Sequence, residues 1–239
     1  MGQSSSIPSM PNFSTGVDID EDEGAMFGPI VAGTAPISPG GSIVRPTVAG
    51  ELIWLQPSTL SAYADLAPVD QWNCSCAVPH HGIGTAAGRP IYHATGGPNN
   101  SPYITLDGID DFLAFTAVAG QIDEHVNATF LIVCKSSNTN ATCLFQTRST
   151  NVKCIRQGTV AGKFEAYSDP TGTVIGDIST TNWQIIKTQL LATHSFQWKL
   201  GAASFFWGGH VAELLVYGPG VSVGDYNLLA AYLAAKYGL

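Results

Sequence analysis

Charge is scarce in this chain. Only 12% of its 239 residues are Asp, Glu, Lys or Arg, about half the usual share. The 10 basic residues are outnumbered by 18 acidic ones, for a net charge of −8. No cluster of Lys and Arg exists to follow a phosphate backbone, so nucleic acid is excluded as the expected partner. Long apolar runs are missing too: none approaches the roughly 18 residues that cross a bilayer as a helix. The start, MGQSSSIPSMPNFS, has neither a basic n-region nor an apolar h-region and does not read as a signal peptide. Cysteine is sparse and odd in number, at five. Without an export signal, the expectation is reduced thiols packed as small hydrophobes.

What is present is hydrophobic and turn-rich. Apolar residues make up 45% of the chain, with 26 glycines and 14 prolines. Dense apolar segments separated by turn chemistry predict strands at 51–55, 102–106, 112–115, 128–135, 142–147, 163–168, 183–189, 195–200 and 210–217. Many short strands with no helices between them predict an all-β, antiparallel β-sandwich. The last segment differs. Ser222 followed by Asp225 fits a capping box, and Tyr226, Leu229, Ala230, Leu233 and Tyr237 share one helical stripe. Gly238 suits the left-handed conformation that ends a helix. A short α-helix closing one side of the sandwich follows.

Residues 1–49 have another texture: Pro-, Gly- and Ser-rich, with the acidic run VDIDEDEG and Arg45 as the sole basic residue. Such a segment cannot bury enough apolar surface to fold alone. It reads as an extended N-terminal arm, with residues 50–239 as the folded domain. Phe13, Met26, Phe27 and Ile30 are apolar anchors spaced along the arm, and they point to docking on another protein chain.

The closing stretch VAELLVYGPGVSVGDYNLLAAYLAAKYGL resembles the final strand, loop and helix of laminin-G-like (concanavalin A-like) jelly-roll domains. LIWLQPSTLSAY is similar to that family's opening strand, and YITLDGIDDFL to its strand-turn-strand. The resemblance spans residues 51–239 and departs from the pattern at WNCSCAVPHHGIG. It implies the concanavalin A-like jelly roll. Because such domains occur in bacteriophage structural proteins and bacterial surface proteins, it also implies a virion structural protein, either capsid-decorating or a head fibre. The arm would anchor on other virion proteins, as a homo-oligomer, at the surface of a particle made in the host cytoplasm. The alternative is a carbohydrate-binding or adhesion module.

Candidate chemistry is thin. Cys74, Cys76, His80 and His81 are zinc-type ligands, but Cys-x-Cys is tighter than the usual spacing and no second pair follows, so no metal is expected. Asp107, Asp110 and Asp111 group three carboxylates, and some relatives in the resembled family bind calcium. Asp-Gly is also a plain turn signal, so no cofactor is expected. Trp198, Phe205, Phe206 and Trp207 beside Gly208-Gly209-His210 suggest an aromatic sugar platform, with Trp207 and His210 as glycan contacts, although sandwich cores use the same residues. Glycoside hydrolysis needs two carboxylates flanking the bond, and no strand carries a Glu-x-Asp-x-Glu set. Glu213, the lone acid in HVAELLVY, reads as a hydrogen-bonded structural acid at the helix junction. The chain is therefore not expected to be an enzyme.

Overall fold

A computed structural model describes residues 43–77, 80–85, 88–115, 128–139, 142–146, 153–158, 160–168, 171–190, 198–201 and 206–239. The arm anchors Phe13, Met26, Phe27 and Ile30 lie outside the described residues. Strands are numbered in chain order: β1 (Glu51–Leu55), β2 (Gln71–Trp72), β3 (Gly82–Gly84), β4 (Ile91–His93), β5 (Tyr103–Asp107), β6 (Leu113–Phe115) and β7 (Ala128–Ser136). Then follow β8 (Cys143–Gln146), β9 (Lys153–Gln157), β10 (Lys163–Ser168), β11 (Thr171–Asp177), β12 (Gln184–Leu190), β13 (Lys199–Leu200) and β14 (Gly208–Tyr217). One helix, α1 (Val223–Tyr237), ends the chain.

These strands form two antiparallel sheets. The first runs β12-β7-β14-β5-β4, with β1 also on β14; the second runs β11-β10-β9-β8-β13-β6-β3-β2. Apolar side chains from the inner faces meet between the sheets, as in a sandwich. Phe130 of β7 faces Phe145 of β8 with ring centroids 5.0 Å apart, and Trp198 packs 5.7 Å from Phe130. The expected all-β sandwich with a closing helix is the fold observed.

Five strands escape the sequence pattern: β2, β3, β4, β9 and β11. The first three are only two or three residues long, too short for alternation to register. β3 reads Gly-Ile-Gly, and glycine is depleted in strands. Its glycines are there for space, since a Cβ on Gly84 would lie 2.5 Å from the Val69 carbonyl oxygen. β11 pairs with β10 as a hairpin whose opening residues, Thr-Gly-Thr, look like turn chemistry.

The cysteine expectation needs a correction. Cys74 and Cys76 are joined by a disulfide, with Cα atoms 5.4 Å apart. The turn between them brings the two sulfurs together, a local effect that an argument from compartment cannot see. Cys134, Cys143 and Cys154 are buried thiols outside any disulfide.

The helix begins as its sequence predicts. The Asp225 amide donates to the Ser222 hydroxyl at 3.1 Å, and Gly238 ends it at φ 67°. It lies on the outer face of the first sheet, where Tyr226, Leu229, Leu233 and Tyr237 pack against Leu131, Val133, Leu215 and Tyr217. Strict alternation along HVAELLVY would aim Glu213 at the inter-sheet core. A bulge intervenes: Val211 opposes Cys134 and Glu213 opposes Val133, leaving Ala212 unpaired. The extra residue turns Glu213 outward to the helix. There its fully buried carboxylate accepts from Trp54 Nε1 at 2.8 Å, from Lys236 Nζ and from the Tyr237 hydroxyl. β1, β14 and the last turn of α1 therefore meet at one side chain.

The first contacts of this unit precede β1. Arg45 lies over the Trp54 ring, 3.7 Å from its centroid. It donates to the Tyr217 hydroxyl at 2.9 Å and pairs with Glu51.

Replacing Glu213 by Ala leaves Tyr237 and Trp54 without their buried acceptor, each a loss of about 1–3 kcal/mol, while half-buried Lys236 can turn to water. The expected loss of unfolding free energy is about 2–4 kcal/mol, measured by urea denaturation. A change below about 0.5 kcal/mol would show that the carboxylate does not hold the helix.

Candidate functional site

The helix covers only part of the outer face of the first sheet. Beyond its C-terminal end the same face carries a row of aromatic and polar side chains set by strand register. Lys135 on β7 opposes His210 on β14, and His210 opposes Thr105 on β5. One strand further, His93 on β4 opposes Tyr103 on β5. Trp183 precedes β12, whose Gln184 pairs with Cys134, so the indole arrives beside Lys135. All these positions share the outward phase of their strands.

The rings pack on one another. His93 stacks on Tyr103 with centroids 4.5 Å apart, and Tyr103 meets the edges of Trp183 and His210 at 5.4 Å each. Lys135 Nζ sits 5.6 Å from the Trp183 ring centre, a cation–π distance. His210 Nδ1 lies 3.0 Å from the Thr105 hydroxyl. Burial, then the charges of Lys135 and His93, push the His210 pKa down from 6.5 to about 4. The imidazole is thus neutral through the physiological range.

Next to this row an open cleft of about 510 Å³ is lined by Lys135, Trp183, Asn182, Thr181, Asn99 and Tyr237, with backbone from Gly96 to Pro98 and from Gly238 to Leu239. The volume is in the range of small-ligand sites. Its far wall is a tight loop. Asn99 and Asn100 take left-handed backbone at φ 51° and 57°, which asparagine tolerates better than most residues. Asn99 Nδ2 donates to the Lys236 carbonyl at 3.3 Å, tying the loop to an unsatisfied carbonyl at the helix end. Four stretches distant in sequence thus make one concavity with an indole, an ammonium, two carboxamides and a hydroxyl.

Other expected site residues are placed elsewhere. Trp207 is fully buried in the inter-sheet core, which corrects its expected role as a glycan contact. Gly209 makes this burial feasible, because a Cβ there would lie 2.4 Å from the indole. Trp198 is likewise in the core, and Phe205 lies outside the described residues. His210 is on the surface row, behind Trp183 and Tyr103, with centroids 6.1 Å from Trp183. The carboxylates of Asp107, Asp110 and Asp111 lie within 4.8 Å of one another, but those of Asp107 and Asp111 turn back on their own loop. Asp107 Oδ1 accepts from the amides of Ile109, Asp110 and Asp111, and Asp111 Oδ2 accepts from the Asp107 amide at 2.9 Å. Burial raises the Asp111 pKa to about 6, against the opposing hydrogen bond from the Asp107 backbone. In the cysteine-histidine loop, His81 Nδ1 accepts from the Cys74 amide at 3.1 Å.

No family model matches the chain, and no curated protein matches it. Solved structures do. Over 87% of this chain, and at 9% identity, it superposes on Trypanosoma rangeli sialidase with a TM-score of 0.51. The same sialidase in complex with 2,3-difluorosialic acid, a covalent intermediate, gives a TM-score of 0.50 at 9% identity over 87% of this chain. The chain spans only 36% and 37% of those two chains. Domain 4 of AbnA, an extracellular arabinanase from Geobacillus stearothermophilus in complex with arabinotriose, gives a TM-score of 0.34 at 12% identity, covering 68% of this chain and 82% of that one; this is too distant to carry an argument.

The likeness to the sialidase chains shows the β-sandwich fold and nothing narrower. Of the laminin-G-like resemblance, the all-β antiparallel sandwich is shown and the family is not. The expectation that the chain is not an enzyme is corrected by the same finding. Chains named as sialidases share the fold over 36% and 37% of their own length, so a missing carboxylate pattern on the strands does not exclude an activity.

Site electrostatics can be read directly. In the folded protein the His210 ring signals in an NMR titration are expected to move with a midpoint near 4, not at the ordinary 6.5. The unfolded chain takes up that proton at about 6.5, so it binds more protons than the native state between the two values. Stability therefore falls as the pH drops from about 6.5 towards 4, and His210→Gln should flatten that slope. A midpoint near 6.5 would place the imidazole in water.

Proposed function

We propose that this protein recognises carbohydrate through the cleft between the 96–99 loop, Trp183 and the end of α1. The observation that carries the reading is the half-buried Trp183 indole, fixed by Tyr103, Lys135 and His210 and flanked by the exposed amide and hydroxyl of Asn182 and Thr181. A sugar ring presents flat C–H groups to an aromatic face and hydroxyls at its rim. An indole bordered by short polar side chains offers partners for both. Preformed support also limits the ordering cost of binding.

The fold supports this reading, being shared with sialidases, whose name marks them as acting on sugars. His210, held behind Trp183 and neutral near pH 7, orients the indole from beneath. The virion reading rests on the family resemblance, which no family model supports, and on residues 1–49, whose proposed anchors lie outside the described residues.

Trp183→Ala in the full chain is expected to weaken oligosaccharide binding by at least about tenfold, as removal of a central aromatic anchor does. The change should lower the unfolding midpoint without unfolding the protein at the assay temperature, since the indole is only partly buried, and isothermal titration alongside thermal unfolding reads both. Undiminished affinity in a folded variant would remove the cleft from consideration.

A further inference from the structure

The Cys74–Cys76 bridge joins residues only two apart in sequence. A disulfide stabilises mainly by restricting the unfolded chain, and more so the longer the loop it closes. A loop this short contributes little, so stability alone does not account for the bond. Its surroundings say more. β1 pairs with β14 along one edge, and its other edge meets the cysteine loop. There the Ser75 amide donates to the Trp54 carbonyl at 2.8 Å, and the Trp54 amide donates to Cys74 Sγ at 3.2 Å. The Cys76 amide donates to the same sulfur at 3.3 Å. Trp54 is a fixed donor, because Glu213 binds its indole and Arg45 covers the ring. Two N–H dipoles thus converge on Cys74 Sγ, an arrangement that stabilises a thiolate there. The two cysteines also differ in position. Cys74 packs against the inter-sheet core, whereas half-buried Cys76 runs into exposed Ala77.

We infer that the Cys74–Cys76 disulfide is a site of thiol–disulfide exchange, with Cys76 as the sulfur attacked and Cys74 as the sulfur released. This stands apart from the carbohydrate reading. The co-reactant is a pair of external thiols, from two small thiols of the glutathione type or from one dithiol peptide. A thiolate of that pair attacks Cys76 Sγ. The new S–S bond forms as the Cys74–Cys76 bond breaks, and the electron pair leaves on Cys74 Sγ, where the two amides receive it. The second thiolate then attacks the first one's sulfur and releases Cys76. The external thiols are oxidised to a disulfide, the bridge is reduced by two electrons, and the two thiol protons end on Cys74 and Cys76. Exchange is faster when the leaving sulfur carries charge well and the attacked sulfur can be reached. Both conditions select the same direction here. Cys74 keeps its amide donors after reduction, so the loop stays on β1 and the fold survives loss of the bond.

The test treats the oxidised full chain, without denaturant, with excess glutathione and separately with a reduced peptide carrying two cysteines. Alkylation and peptide mapping follow the bridge and separate it from the buried thiols of Cys134, Cys143 and Cys154. Structural bridges resist the glutathione pool and labile ones yield to it. The expected result is loss of the bridge with one or both thiols while the circular dichroism of the sandwich is retained, and the thiol that reacts identifies the source. Reduced Cys74→Ser given oxidised glutathione should accumulate an adduct on Cys76, having no second thiol to expel it. Cys76→Ser should carry at least about tenfold less adduct on Cys74. A bridge that resists both thiols until urea unfolds the chain is a structural clip and overturns the inference. Collapse of the sandwich on reduction overturns it as well, and so does an adduct that forms equally well on Cys74.

Discussion

One carboxylate, that of Glu213, ties the last turn of α1 to the paired strands β1 and β14. It lies in β14, reaches Trp54 of β1 and takes hydrogen bonds from Lys236 and Tyr237 in the last turn of α1. A fully buried acid is costly unless its oxygens are satisfied. Here satisfaction requires the helix to end at one place on the sheet. Apolar contacts along Leu229, Leu233 and Tyr237 bring the helix down, but such contacts are non-directional and tolerate sliding. The carboxylate supplies the register.

That register sets the size of the uncovered face. The helix stops at Gly238, and the sheet beyond it keeps Lys135, His210, Tyr103 and Trp183 within reach of solvent. The 96–99 loop is bonded to the helix end through Asn99 and walls the remaining space. The proposed binding cleft is thus a consequence of helix placement rather than a separate element. Its aromatic members hold one another through edge and stacked contacts, so the surface is formed before any ligand arrives. A shift of the helix by one turn, about 5.4 Å, would fill it.

Much of the fold is legible in the sequence, because alternation and turn chemistry are local. The helix is the clearest case, with Ser222, Asp225 and Gly238 in the roles their spacing predicts. Glu213 was legible as a structural acid but not as an outward-facing one, since the bulge at Ala212 is a property of paired strands. The disulfide of Cys74 and Cys76 was missed for a similar reason: the turn between them decides it. The cleft was not legible at all, because its residues come from four separate stretches that only sheet register unites. Thr181-Asn182-Trp183, an aromatic behind two small polar residues at a strand start, was the one local hint. Trp207 misled, because nothing in the order of residues says that Gly209 opens room for its ring to turn inward.

Fold likeness to sialidases at 9% identity says how the chain is built and leaves its chemistry to its own side chains. Those side chains centre on the docking of α1 by Glu213. Native-state hydrogen exchange tests that docking most directly. If the carboxylate holds the helix as described, the amides of Leu229 to Tyr237 exchange only through global unfolding, with the same free energy as the central strands β7 and β14. If those amides exchange through a separate opening several kcal/mol cheaper than that of β7, the helix is a loosely laid cover, and the account of the cleft it borders is wrong.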